Sequence, residues 1–472
     1  MKKPTVFSDT LSWVLTCTSV VFLVFFRGRW AFMPGVYDEQ CYLEWLHKFI
    51  GVPYRACYSS SHLPGVAIQW IPVGWFSRFL SYITGSPLSD WLESLIGLQT
   101  FATWGVCLFL FHKIFLALEV PFPKIKSVAL LFFLNMPVLE FMTQLNFGTV
   151  PAELLLSSML VFCLIKERWL LAIPTAFLLN LTRVNDIFAF FLIVGALIDS
   201  SKAGKLNISR RNQIILGSVF LAFLLAALTG VLYIGLVTGY NHVFLGDILP
   251  RLSPYRWWRG LFMGQWGVFW TAPAAIISFI ICCYFTRRLS WLSRAGLLWV
   301  FSELALVIAL NEIRADYINP PWRYLLGSFI GMIPAIVETS RHLSQPLKKG
   351  CGTLFNFLAG WQLYLAFVTH SFTILNYWKA KDNLDDWSLL EYLHLLQNPL
   401  DLIKLFYVAP VGFTLFSWCK DWRFFKNYEQ YTQYALQGPK LYLLTASTLL
   451  ALAIVVIYIR DTYFRKSGEV LQ

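Results

Sequence analysis

Residues 441–459 read LYLLTASTLLALAIVVIYI, nineteen positions without one charged side chain. About 20 apolar residues in a helix cross a hydrocarbon core of about 30 Å, so this stretch is read as a membrane span. Comparable blocks lie near 11–26, 92–112, 127–142, 150–165, 169–182, 184–198, 214–238, 266–285, 295–311, 324–338, 352–375 and 402–418. With 441–459 they make about thirteen spans; 150–165 and 169–182 are short and 324–338 is marginal. The first block follows Met1-Lys2-Lys3 and lacks a small-residue cleavage site, which is expected of a retained anchor.

Composition points the same way. Apolar residues make up 57% of the 472 positions and charged residues 14%, against about 45–50% and 25% in soluble domains. The expected fold is all-α: one polytopic transmembrane domain covering 1–472. The net charge of +12 would suggest nucleic acid in a soluble protein, but the basic residues fall as pairs between apolar blocks (Arg210-Arg211, Arg287-Arg288, Lys348-Lys349). That is the pattern of cytoplasmic loops, so no nucleic-acid partner is expected. Starting from a cytoplasmic N-terminus and alternating sides, the inner segments collect 21 of the 38 lysines and arginines but seven of the 26 acids. Every cytoplasmic turn then obeys the positive-inside rule. The nine cysteines show no metal-ligand spacing, and neither a zinc site nor a disulfide framework is expected.

The longer connections, 27–91, 239–265, 312–323 and 376–401, fall outside, and function is expected there. In the first, residues 39–50 place Tyr42, Trp45, Leu46, Phe49 and Ile50 on one face, with Gln40, Glu44, His47 and Lys48 opposite. Residues 66–83 are apolar and aromatic around Arg78. Both segments read as helices lying in the interface.

Several charged positions on that side could carry chemistry. Asp38 and Glu39 follow the first span; Asp38 suits the N-cap of a helix beginning at Glu39, or one of the pair is a reactive carboxylate and the other its support. Arg55 and Ser60-Ser61-His62-Leu63-Pro64-Gly65 complete the loop, where Pro64-Gly65 also serves simply to start a new element. Glu153, Arg183, Asp186 and Arg323 lie near the outer boundary. Charges at such depth mark functional sites, although Arg183 and Arg323 could snorkel to headgroups and Arg183 could pair with Asp186. Arg251-Leu252-Ser253-Pro254-Tyr255-Arg256-Trp257-Trp258-Arg259 suits either a lipid phosphate or an aromatic belt.

Asp38-Glu39, an amphipathic helix and then His62-Leu63-Pro64-Gly65 resemble the first outer loop of the GT-C superfamily of membrane glycosyltransferases, such as the protein mannosyltransferases and the aminoarabinose transferase of lipid A. Leu63 stands where that pattern has its first proline. Asn146–Glu153, Leu181-Thr182-Arg183 and Pro321–Leu326 are similar to further parts of the same family. The resemblance implies a hexosyl or pentosyl transferase, inverting, that takes a sugar from a polyprenyl-phosphate donor to a lipid, glycan or protein acceptor among membrane lipids. It implies Asp38 as general base, Glu39 and Glu153 as its support or as ligands of a divalent cation such as Mg or Mn, and Arg55, His62, Arg183, Arg256, Arg259 and Arg323 as the groups that bind substrate phosphate.

The expected place is a bacterial inner membrane, with the endoplasmic reticulum as alternative. The competing function is a transporter or flippase of a lipid-linked or anionic solute. That role needs polar groups deep in the bundle, for which Glu303 in the ninth span is the main exception to a pattern of charges at the outer ends.

Overall fold

The computed structural model describes residues 6–23, 37–53, 63–135, 148–204, 254–262, 268–310, 325–376 and 439–470. Every regular element among them is helical. The first five α-helices are α1 (Val6–Val21), α2 (Tyr37–Phe49), α3 (Gly65–Thr84), α4 (Leu88–Ala117) and α5 (Phe122–Asn135). They are followed by α6 (Thr149–Ile165), α7 (Trp169–Thr182), a 3-10 turn (Val184–Ala189) and α8 (Phe190–Lys202). The remainder are α9 (Pro254–Phe262), α10 (Val268–Thr271), α11 (Pro273–Tyr284), α12 (Trp291–Leu310), α13 (Leu326–Gly331), α14 (Ile333–His342), α15 (Gln345–Asn376) and α16 (Pro439–Val470).

Three stretches, Leu88–Ala117, Trp291–Ile308 and Thr445–Thr462, are helical, long and apolar enough to cross a membrane. Thr149–Ile165, Trp169–Thr182 and Pro273–Tyr284 are shorter apolar helices. Among the blocks expected as single spans, 184–198 starts as the 3-10 turn before α8, and two others are broken at a proline. The 266–285 block divides into α10 and α11 at Pro273, whose ring opposes a continuous helix but suits a first turn. The 324–338 block divides into α13 and α14, with Pro334 in the first turn of the second. The blocks 214–238 and 402–418 lie outside the described residues.

The surface is apolar where a soluble protein would be polar. Leu170 is 90% exposed, and Ile280, Phe301, Leu449, Leu450, Val456 and Ile459 also face outward. Apolar side chains turned away from a packed interior suit lipid as solvent, and this chain is read as membrane-embedded. Inside, small residues let helix backbones touch. A Cβ on Gly195 of α8 would strike the Trp291 carbonyl of α12, and one on Gly296 of α12 would strike Gly331 of α13.

One end of the bundle is tied by polar contacts among residues that the charge pattern assigns to the cytoplasm. Lys126 Nζ meets Asp9 Oδ2 at 2.6 Å, and Arg341 Nη2 donates to the Leu118 carbonyl at 2.5 Å. The Asp199 carboxylate accepts the Trp291 and Leu292 backbone N–H groups at 3.0 and 2.8 Å, capping α12 from α8 as an acid at a positive helix end should. Glu338 accepts both the N–H and the hydroxyl of Ser290.

The two helices of the first loop form as expected but bury a different stripe. Cys41, Tyr42, Leu43, Leu46, His47 and Ile50 are buried, while Phe49 is exposed. His47, expected on the polar face, is enclosed because α2 packs on α3 through that side.

Candidate functional site

At the opposite end four charged side chains close together. Gly148 begins α6, and Glu153 in its second turn is fully buried. Arg183 terminates α7 in an extended conformation. Its Nη1 lies 2.6 Å from Glu153 Oε2, and its Nη2 donates to Thr149 Oγ1 at 2.7 Å. Glu153 Oε1 accepts the Gly327 N–H at 2.7 Å, which brings the start of α13 to the same point.

Asp186, 1% exposed in the 3-10 turn, and Glu303, 0% exposed on α12, adjoin each other and this pair. Glu303 Oε1 accepts the Trp299 indole N–H at 2.7 Å. A Cβ on Gly327 would fall within about 3.0 Å of Ser157 Oγ, Asp186 Oδ1 and Glu153 Oε1, so three oxygens from three residues crowd the space that a side chain there would need.

The first-loop helices abut this cluster. Gly65, the first residue of α3, presses on the backbone of Leu181 and Thr182 so closely that any Cβ would collide. Ala152, next to Glu153, belongs to the same buried apolar cluster as Tyr42 of α2 and Val66, Ala67 and Trp70 of α3. The two helices run parallel. Tyr42 meets Trp70 edge-on at 6.2 Å between ring centroids, Leu46 lies against Gly74, and the Ile50 carbonyl accepts Arg78 Nη1 at 2.5 Å. Carrying that register back one turn sets the backbone of Asp38 level with Val66, near the end of α3 that rests on Leu181 and Thr182.

Compared with expectation, α2 begins at Tyr37, so Asp38 stands inside the first turn and is not its N-cap; Glu39 follows it there. Arg55, His62 and Arg323 lie outside the described residues. Arg256 and Arg259 are on α9, which Trp257 fastens to α12 by stacking on Phe301 at 6.0 Å. The ion pair of Arg183 is with Glu153, not with Asp186, because Thr149 and Glu153 share the face of α6 turned to the end of α7. Asp186 and Glu303 join the site although no sequence motif marks them; their signal is charge within apolar blocks.

Both oxygens of Glu153 are engaged, one by a guanidinium and one by a backbone N–H. Among the described residues no group of three His, Cys, Asp or Glu side chains is arranged to hold a metal ion.

The disulfide expectation is corrected too. Cys41 of α2 is disulfide-bonded, with its partner outside the described residues, whereas Cys17, Cys107, Cys163, Cys282, Cys283 and Cys351 are free. Spacing alone gives no sign of it, since a pairing is made by folded geometry.

On another side of the bundle, an apolar cavity of about 270 Å³ opens between α1, α4, α5 and α15, lined by Val20, Phe101, Leu108, Phe133 and Leu363 among others. No family model, curated protein or solved structure matches the chain, which leaves the geometry of this site as the ground for function.

Proposed function

We propose that this chain is a membrane glycosyltransferase of GT-C type. It moves a sugar from a polyprenyl-phosphate donor to a lipid, glycan or protein acceptor at the outer face of a bacterial inner membrane, with about thirteen spans and a cytoplasmic N-terminus. The observation that carries the reading is that the N-terminus of α3, against which α2 packs in parallel, sits on the last turn of α7 next to the Arg183–Glu153 pair. In this reading the acidic pair, the Pro64-Gly65 element and the buried cation, distant in sequence, act in one region. The disulfide at Cys41 supports an oxidising compartment for α2, and the apolar cavity suits a hydrocarbon tail.

In this reading Asp38 accepts the proton of the acceptor hydroxyl as its oxygen attacks the anomeric carbon. The bond from that carbon to the donor phosphate breaks with inversion, and the polyprenyl phosphate leaves. Arg55, His62, Arg256, Arg259 and Arg323 meet the negative charge that develops on it. Arg183 is oriented by Glu153 and Thr149, and Glu39 supports Asp38.

The test is sugar transfer by purified Asp38→Asn protein from polyprenyl-phosphate donors. Loss of a general base costs about 10²–10⁴-fold in rate, equivalent to about 3–5 kcal/mol, while asparagine preserves size and helical backbone. Near-normal turnover would overturn the mechanism.

One observation favours a second reading, a transporter or flippase. Glu303 is not an isolated midspan charge but part of a buried carboxyl cluster, as proton-coupled carriers require. Solute movement across vesicles by a protein inactive in sugar transfer would support it.

A further inference from the structure

We propose that the apolar cavity between α1, α4, α5 and α15 holds the methyl end of an acyl chain from a phospholipid of the surrounding bilayer, as a resident part of the protein. Its composition suits any hydrocarbon tail, and its depth and closed ends select this one. Such a chain depends on neither functional reading.

Depth comes first. The Asp9–Lys126 ion pair marks the basic end of the bundle. Thr16 on α1 and Phe133 on α5, both in the cavity wall, each stand seven residues farther along their helices, which is about 10 Å at 1.5 Å per residue. Val20, also in the wall, is eleven residues from Asp9, or about 16 Å. These levels bracket the middle of a hydrocarbon core about 30 Å thick, where the acyl chains of the two leaflets end and no headgroup reaches.

Both ends of the cavity along the seam of α1 and α4 are shut. On the inner side Trp13 meets His112 with ring centroids 6.0 Å apart, and both are buried. On the outer side Phe22 meets Phe101 edge-on at 5.0 Å. A carrier tail led down from a phosphate at the Arg183 end would have to pass Phe22 and Phe101. Access is instead from the side, beside Val20, which is 44% exposed.

The wall offers little to water. Thr16 and Thr18 donate their hydroxyls to the Ser12 and Val14 carbonyls at 2.8 and 2.7 Å, so those donors are spent within α1. Cys17 contributes a free thiol, which is a weak donor, and the Trp104 indole N–H has no acceptor among the described residues. A buried water needs two to four polar partners. Left empty, about 270 Å³ of apolar space would forfeit the dispersion contacts of Phe101, Leu108, Phe133 and Leu363. A hydrocarbon chain restores those contacts, and at this depth the bilayer supplies one at every opening.

Photolabelling of the full chain in vesicles of phosphatidylethanolamine and phosphatidylglycerol tests this. The probe is a phosphatidylcholine with a diazirine near the methyl end of one acyl chain. After irradiation, peptides carrying Cys17 to Val21 or Leu130 to Leu134 should hold several-fold more adduct than the peptide carrying the outward-facing Leu449, Leu450 and Val456 of α16. Val21→Trp and Leu134→Trp, which fill the cavity, should each remove that excess and leave the α16 adducts unchanged. Equal labelling of wall and α16 overturns the proposal, and so does an excess that survives both substitutions. Should neither variant insert, the parent decides alone: a probe with its diazirine close to the headgroup must lose the excess, and one that keeps it overturns the proposal equally. Polyprenyl phosphate added in an amount equal to the probe should leave the excess in place; its loss would overturn the assignment in favour of a carrier tail.

Discussion

Arg183 Nη1 stands 2.6 Å from Glu153 Oε2, joining the last turn of α7 to the beginning of α6 in a contact where the side chains are 8% and 0% exposed. Removing either partner takes from the other its closest opposite charge among the described residues, and breaking a buried pair costs up to about 3–5 kcal/mol. Glu153→Gln and Arg183→Gln should each lower stability by that order, and the double variant should lose less than the total of the two, with a coupling of about 0.5–3 kcal/mol. Unfolding of all four proteins in one detergent measures it; strict additivity would show the pair to be energetically idle.

Gly327→Ala should destabilise by about 1–3 kcal/mol, because the added methyl meets Ser157, Asp186 and Glu153 oxygens within about 3.0 Å. Gly350→Ala on α15 has open space around it and should instead stabilise slightly, by up to about 1 kcal/mol, through helix propensity. Thermal melts that move both variants in the same direction would contradict the packing at Gly327.

The topology has a direct check in intact cells. Ser89→Cys and Ser201→Cys are both exposed sites, in a background without other accessible thiols. A membrane-impermeant maleimide should label position 89 and spare 201. The reverse pattern would invert the orientation and move the cluster at Arg183 to the inner side.

His47 makes the seat of α2 sensitive to acid. Burial holds its imidazole below the ordinary range, so the folded protein takes up a proton less readily than the unfolded chain. Its contribution is therefore complete above the ordinary value of about 6.5 and is lost as pH falls through that value toward the folded one, by at most about 1.4 kcal/mol per pH unit. His47→Gln should flatten the fall in stability between about pH 7.5 and pH 5. Parallel curves for parent and variant would show that His47 takes no part.

Much of the architecture is legible in the order of residues alone. Pro174 lies inside α7, yet the short block 169–182 ends at the helix boundary all the same, because a bilayer interior requires every backbone group to find its partner within the segment. The helices of the first loop are legible too, since alternating apolar and polar faces are local. Which face of α2 is covered is not: Phe49 is exposed and His47 enclosed because of where α3 sits.

The site divides the same way. Composition and charge placement by themselves pointed to a helical membrane protein with a basic end and with charges such as Glu153 and Arg183 near the other; that Asp9 meets Lys126 and Asp199 caps α12 came from the folded structure. Tertiary structure alone decided that Arg183 pairs with Glu153, that Gly327, 174 positions away from Glu153, donates to its carboxylate, and that Asp186 and Glu303 adjoin. Periodicity records which side of a helix avoids its solvent, and lipid sets that pattern locally. The partner of a buried charge is chosen by which helices pass within hydrogen-bond reach, and that is set by close packing at residues such as Gly65, Gly296 and Gly327, whose part shows only when the neighbouring backbone is in place.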